Sequence, residues 1–296
     1  MSIVFVIILI IFMLLIFEIK RELMTFQVNH YITAYKKLNS LPEEKKVIFI
    51  SDLHNQVYGK DNEDLLAHIN KEKPEMILVG GDMLIGTKDV PFDAALNFVK
   101  HLPEIAPTYY ANGNHEQRIK EKPQKYGLDF QKYKKELLQY GVHFLENTTE
   151  KVMWDEIPVY ITGLEIPLEN YKHFEVPKLE YKEIEKRIGR KALEGFNILL
   201  AHSPSYMNLY KEWGADLVLS GHYHGGLVRI PGSIGLIIPG FLKNWKYSGG
   251  IYKEGDVRLI VSKGIGNHTI KLRLFNKAEV ICLHIKGDKL VKKSKI

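Results

Sequence analysis

Cysteine is nearly absent: Cys282 is the only one in 296 residues. No internal disulfide can form and no thiolate-rich metal centre can be built, so the expectation is that any metal is held by oxygen and nitrogen ligands. Lying in a terminal apolar stretch, Cys282 reads as a small buried hydrophobe. Internal repeats and low-complexity tracts are also missing, which excludes solenoid and fibrous architectures. No basic helix or aromatic RNA-binding motif accompanies the net charge of +6. That charge therefore favours anionic substrates or an anionic membrane surface, and nucleic acid is not an expected partner.

One long apolar run stands out at residues 3–17, followed by Glu18, Lys20 and Arg21. At about 1.5 Å per residue such a helix spans ~22 Å, short of the roughly 30 Å hydrocarbon core but workable if its flanks snorkel. A cleaved signal peptide needs a basic leader and a small-residue cleavage site, and neither residues 1–2 nor residues 18–26 supply them. The expectation is an uncleaved, single-pass anchor over residues 1–20, a juxtamembrane segment over 21–45, and a catalytic domain over 46–296. Because the positive residues follow the run, the positive-inside rule places that domain on the cytoplasmic side.

With 45% apolar and 26% charged residues, the remainder has the profile of a folded globular protein. Residues 47–50 and 76–79 are short apolar runs that read as buried strands. Between them, residues 62–73 carry Leu65, Leu66 and Ile69 at helical spacing, and Pro74 ends the pattern. The rhythm continues through a helix near residues 93–101 and a strand at 108–111. Further strands are expected at 159–162, 198–201, 217–220, 258–262 and 279–285. The charged stretch between Leu168 and Leu193 reads as an exposed helix. Early strands alternate with helices and later ones do not, which argues for an α/β sandwich with mixed sheets.

Five polar clusters close these strands: Asp52-Leu53-His54, Gly81-Asp82, Gly113-Asn114-His115-Glu116, Ala201-His202-Ser203 and Gly221-His222-Tyr223-His224-Gly225. Residues just past the carboxyl ends of neighbouring strands converge on one crevice, so clusters distant in sequence meet there. One D-x-H pair or one histidine is weak evidence, because a chain leaving a strand exposes polar residues anyway. Five such clusters would need the coincidence five times. Carboxylate, amide oxygen and imidazole suit Mn, Fe, Zn or Co, and the set is too rich in histidine for Mg or Ca.

In order, these residues read D-x-H, G-D, G-N-H-[DE], H and G-H-x-H, and the chain after the apolar run resembles the calcineurin-like metallophosphoesterase superfamily. The apolar loop after G-H-x-H-G-G and the segment Ile260-Val261-Ser262-Lys263-Gly264-Ile265-Gly266-Asn267 resemble a membrane-associated bacterial branch. The resemblance implies a four-layer α-β-β-α sandwich with two mixed sheets and a centre of two divalent metal ions. Asp52, His54, Asp82 and His224 would hold the first, and Asp82, Asn114, His202 and His222 the second. Asp82 is then the bridge, since one carboxylate can hold two cations about 3.5–4 Å apart. His115 would face the substrate as the catalytic acid, with Glu116 orienting its ring. Asn55 would either donate to a phosphoryl oxygen or shape its turn. Ile85 and Leu227 depart from the pattern of many relatives, at positions that are not ligands. His68, His101, His143, His173 and His284 lack a glycine-flanked strand-end setting and read as structural, and His268 stays outside the ligand set.

The function expected is metal-dependent hydrolysis of a phosphate ester or phosphoanhydride by a metal-bridging hydroxide. Residues 234–242 form an apolar loop that either packs on its own domain or, on an anchored domain, contacts lipid; a phospholipid-like or nucleotide-linked lipid substrate leads, with soluble phosphoesters or phosphoproteins behind it. The alternatives are a membrane-anchored scaffold that keeps the metal site without turnover, and a surface module that binds phosphates without cleaving them.

Overall fold

The computed structural model describes residues 3–171, 176–192, 194–230, 235, 245–267 and 270–293. Twelve strands run in chain order: β1 (Phe26–Tyr35), β2 (Lys45–Ile50), β3 (Met76–Val79), β4 (Thr108–Tyr110), β5 (Val142–Phe144), β6 (Thr149–Trp154), β7 (Ile157–Leu164), β8 (Phe196–Ala201), β9 (Leu217–Ser220), β10 (Gly250–Glu254), β11 (Val257–Val261) and β12 (Ala278–Gly287). The helices are α1 (Ile3–Met24), α2 (Glu63–Glu72), α3 (Asp93–Val99), α4 (Asn114–Glu121), α5 (Pro123–Tyr126), α6 (Phe130–Gln139), α7 (Tyr181–Ile188), α8 (Met207–Trp213) and α9 (Asp288–Lys293).

The strands form two six-stranded mixed sheets, ordered β1-β12-β2-β3-β4-β5 and β10-β11-β9-β8-β7-β6. In the first sheet β2, β3, β4 and β5 are parallel and β12 runs against β2. In the second, β11, β9, β8 and β7 are parallel, with β10 and β6 antiparallel at the edges.

Side-chain alternation along β2 shows how the layers arise. Val47 and Phe49 point between the sheets, where they meet Val159, Ile161, Phe196, Ile198 and Leu219. Ile48 and Ile50 point the other way, onto Leu65 and Ile69 of α2, Phe98 of α3 and Tyr133 of α6. Both faces of β2 are dry, and its sequence is accordingly a continuous apolar run. On the far side, Leu199, Val218 and Leu259 pack under Ile184 of α7 and Met207, Tyr210 and Trp213 of α8. The result is the expected four-layer α-β-β-α sandwich. Each of these fully buried aliphatic or aromatic side chains contributes roughly 1.5–3 kcal/mol of transfer free energy.

One boundary needs correction. Residues 21–45, expected as a juxtamembrane segment, contain β1, which pairs in parallel with β12 over ten register partners from Phe26 opposite Ala278 to Tyr35 opposite Gly287. Helix α1 also runs seven residues past Phe17, to Met24. It is long and apolar enough to cross a membrane, and no residue of its most apolar window is buried. Its last turn does touch the domain: Glu22 is buried and accepts a hydrogen bond of 2.8 Å from the Asn276 backbone N–H. Residues 234–242, the expected lipid-contacting loop, lie outside the described residues except for Gly235, as do His173 and His268.

Candidate metal centre

Each cluster sits one to four residues beyond a strand's carboxyl end: Asp52 after β2, Asp82 after β3, Asn114 after β4, His202 after β8 and His222 after β9. The chain must turn sharply there. Asp52, His54, Asp82, His222 and His224 all adopt left-handed backbone, with φ of 57°, 47°, 54°, 73° and 50°. Such non-glycine conformations are costly individually and gather at functional sites. The loops also approach closely. A Cβ on Gly113 would strike the Asp82 carboxylate, so this position needs glycine.

The turns bring the expected ligands together. His54 Nε2 and His224 Nε2 are 3.0 Å apart on stacked rings, and His224 Nε2 is 3.2 Å from Asp52 Oδ1. His202 Nε2 is 3.0 Å from Asp82 Oδ2, while His54 Nε2 is 4.0 Å from the same oxygen. Asp52, His54 and His224 form one group that could hold a metal ion, and Asp82, His202 and His222 form another. Asn114 is buried, and its Oδ1 has no hydrogen-bond partner among the described residues. A buried acceptor without a donor is costly, and a cation would satisfy it. His202 Nδ1–H donates to the Gly80 carbonyl at 2.7 Å, which turns Nε2 toward Asp82, where it carries a proton that a metal ion would displace. The donor set of carboxylate, amide oxygen and imidazole fits divalent transition metals.

The electrostatics agree. Burial by itself would raise the carboxyl of Asp82, but His202 and His115 outweigh it and hold the group well below the usual range. The same contest, won by His224 and His202, lowers Asp52. Burial would lower His202, yet Asp82 and Asp52 hold it at about 10. His54 is driven well down by burial and by the neighbouring His115 and His224. Two carboxylates in a dry site thus demand positive charge, from a proton or a metal ion.

His115 lies at the rim of the centre, its Nε2 3.9 Å from Asp82 Oδ2. Its Nδ1 accepts from the Gly86 backbone N–H at 2.6 Å, so in the neutral ring the proton sits on Nε2. Glu116 does not touch this imidazole, contrary to expectation. Its carboxylate accepts from the backbone N–H of Asp82 at 2.8 Å, Met83 at 2.7 Å and Gly113 at 3.0 Å, and from the Tyr110 hydroxyl at 2.7 Å. Glu116 therefore fastens the Asp82 loop to the Asn114 loop. Burial and the Asp82 charge push its carboxyl up to about 7. Asn55 donates from its side-chain amide to the Pro91 carbonyl at 2.9 Å, which ties its loop to the segment before α3.

Two further residues hold the centre that sequence reasoning did not single out. Asn276 donates from Nδ2 to the His224 carbonyl at 2.7 Å, and Arg273 donates to the carbonyls of Lys263 at 2.9 Å and Gly266 at 2.7 Å. Both bridge segments with no local pattern to signal them. Tyr171 forms a wall, its ring centroid 5.2 Å from that of His222.

Residues 45–226 match the family Metallophos, calcineurin-like phosphoesterase. The chain belongs to this calcineurin-like phosphoesterase family and is a metal-dependent phosphoester hydrolase. It is 28% identical to the uncharacterized metallophosphoesterase YkoQ of Bacillus subtilis (strain 168), over 82% of this chain and 84% of that protein. It is 25% identical to the phosphodiesterase YaeI of Escherichia coli (strain K12), over 88% of each. Among solved structures, a dimetal phosphatase from Danio rerio superposes with a TM-score of 0.41 and 10% identity, covering 75% of this chain and 88% of that one. That last likeness is one of fold alone.

Proposed function

We propose that the chain is a binuclear-metal phosphoesterase in which Asp52, His54, Asp82 and His224 hold one divalent ion and Asp82, Asn114, His202 and His222 hold the other. The observation that carries this reading is the position of Asp82 between the two ligand groups, with His202 at 3.0 Å and His54 at 4.0 Å from one oxygen. When bound, two such ions polarise the phosphoryl oxygens and supply a hydroxide nucleophile near neutral pH. The chain's own part is then positional. Asp82 is fixed by the His115 N–H, which donates to Oδ1 at 2.8 Å, and Asp52 by the His222 N–H at 3.1 Å. His115 offers its Nε2 proton to the leaving oxygen.

The substrate class is a phosphate ester or phosphoanhydride presented at a membrane, lipid-linked, with the domain on the cytoplasmic side of a single-pass anchor. The contact from Glu22 of α1 to Asn276, and from Asn276 to the His224 carbonyl, supports this reading, because one residue separates the apolar helix from the ligand loop. It also favours the membrane-associated branch of the family. The test is hydrolysis of bis-p-nitrophenyl phosphate by the full chain in detergent with manganese, followed by a comparison of lipid extracts from cells with and without the gene. Hydrolysis that chelation abolishes, with a phosphate-bearing lipid accumulating in the deleted strain, supports the proposal. A chain that binds phosphate without turnover under any transition metal would instead be a scaffold or binding module. Protease accessibility on intact cells reads the sidedness.

A further inference from the structure

A second ligand cluster lies at the opposite end of the first sheet. His30 of β1 stands opposite Cys282 of β12 in register, and His284 follows two residues later on the same face. His284 is opposite Lys46 at the start of β2, whereas Asp52 lies beyond that strand's far end, about 20 Å away at about 3.3 Å per residue. His30 Nδ1 and His284 Nε2 are 3.0 Å apart, and Cys282 Sγ is 3.8 Å from His284 Nε2. The three donor atoms all lie within 4.8 Å of one another. With Zn–N near 2.0–2.1 Å and Zn–S near 2.3 Å, tetrahedral ligand atoms stand about 3.3 Å (N to N) and about 3.6 Å (N to S) apart. The observed separations straddle those values.

The surroundings are those of a cation site. Glu44 Oε1 accepts from His284 Nδ1 at 2.8 Å, which fixes the tautomer and aims the Nε2 lone pair at His30 and Cys282. Glu72, at the end of α2, flanks His30 on its other side, 3.7 Å from Nε2. Lys46 is the one nearby cation that the hydrogen bonds reveal among the described residues, and its Nζ is 3.4 Å from the Glu72 carbonyl. Burial, with Glu72 beside it, pushes the Cys282 thiol up to about 12, so metal uptake here releases the thiol proton.

We propose that His30, Cys282 and His284 form a zinc site, separate from the hydrolytic centre, with solvent from the half-exposed His30 side as fourth ligand. Its ligands come from two adjacent strands, so the ion would clamp β1, and through it the membrane helix, onto β12. Cys282 is fully buried in the core, as expected of a small hydrophobe, and the proposal adds a ligand role to that packing. The site does not depend on the reading of the hydrolytic centre.

The test uses the full chain in detergent, loaded with Zn2+ or Co2+. Cobalt at this site must show a thiolate-to-metal charge-transfer band, which a nitrogen and oxygen centre cannot give. The expected result is that band in the wild type, its loss in Cys282→Ser and His30→Ala, and one zinc ion fewer per chain in both variants. Hydrolysis with manganese should stay within about twofold of wild type. His30 is exposed, so His30→Ala decides the matter should Cys282→Ser fail to fold. A wild type without the band, or equal zinc content in wild type and variants, overturns the proposal.

Discussion

Because the Gly86 N–H occupies Nδ1 of His115, the ring has one direction in which to give a proton, toward the centre from Nε2. General acid assistance matters most when the leaving group is a poor one. His115→Ala should therefore cut kcat by about 10²–10⁴ for an alkyl phosphodiester and by much less for a p-nitrophenyl ester, with metal content unchanged. Equal losses on both substrates would mean that His115 positions and does not protonate. Glu116 makes a different prediction, about stability. Glu116→Gln turns an N–H2 toward backbone donors that now meet an oxygen, leaving at least one of them unpaired. The expected cost is about 1–3 kcal/mol, read from denaturant unfolding. At this scale the candidate ligands were legible in the sequence, because each follows a buried apolar strand and is of a type that binds divalent metals. Asn276 and Arg273 were not, since an asparagine or arginine in a loop declares its role only when its partners arrive from elsewhere in the chain.

Among the elements, the strands that local pattern did not reveal are β1, β5, β6 and β10, the four edges of the two sheets. Edge strands have one neighbour and a wet side, so they carry no continuous apolar run. Strand β10 alternates half-buried with exposed residues throughout, and β1 is half-exposed over most of its length. The interior strands β2, β3, β8 and β9, dry on both faces, are plain in the sequence for the same reason. Mistaking β1 for a linker has a practical consequence. A chain beginning at Thr25 keeps β1 and should be soluble, folded and active without detergent. One beginning at Lys45 exposes the β12 edge as a template for association and should aggregate. Size-exclusion chromatography of the two separates these outcomes. A monodisperse, active chain from Lys45 would show that β1 is dispensable.

Over the whole molecule, the strand ends of both sheets open on one crevice, and the membrane-length helix α1 reaches that same region through Glu22 and Asn276. The α/β class and the convergence of five clusters could be read in advance, since both follow from strand order and polar strand ends. The contact between α1 and Asn276 could not, because it joins residues 254 positions apart. The central claim is that Asp82 serves two metal ions at once. The measurement that tests it most directly is manganese content beside phosphodiester hydrolysis, in the full chain and in Asp82→Asn. Manganese prefers oxygen and nitrogen donors, so a cysteine-bearing site elsewhere adds little to the count. The account predicts two manganese ions per wild-type chain, both lost in Asp82→Asn together with about 10³-fold or more of the hydrolysis. A variant that keeps either ion bound and hydrolyses at the wild-type rate would contradict it.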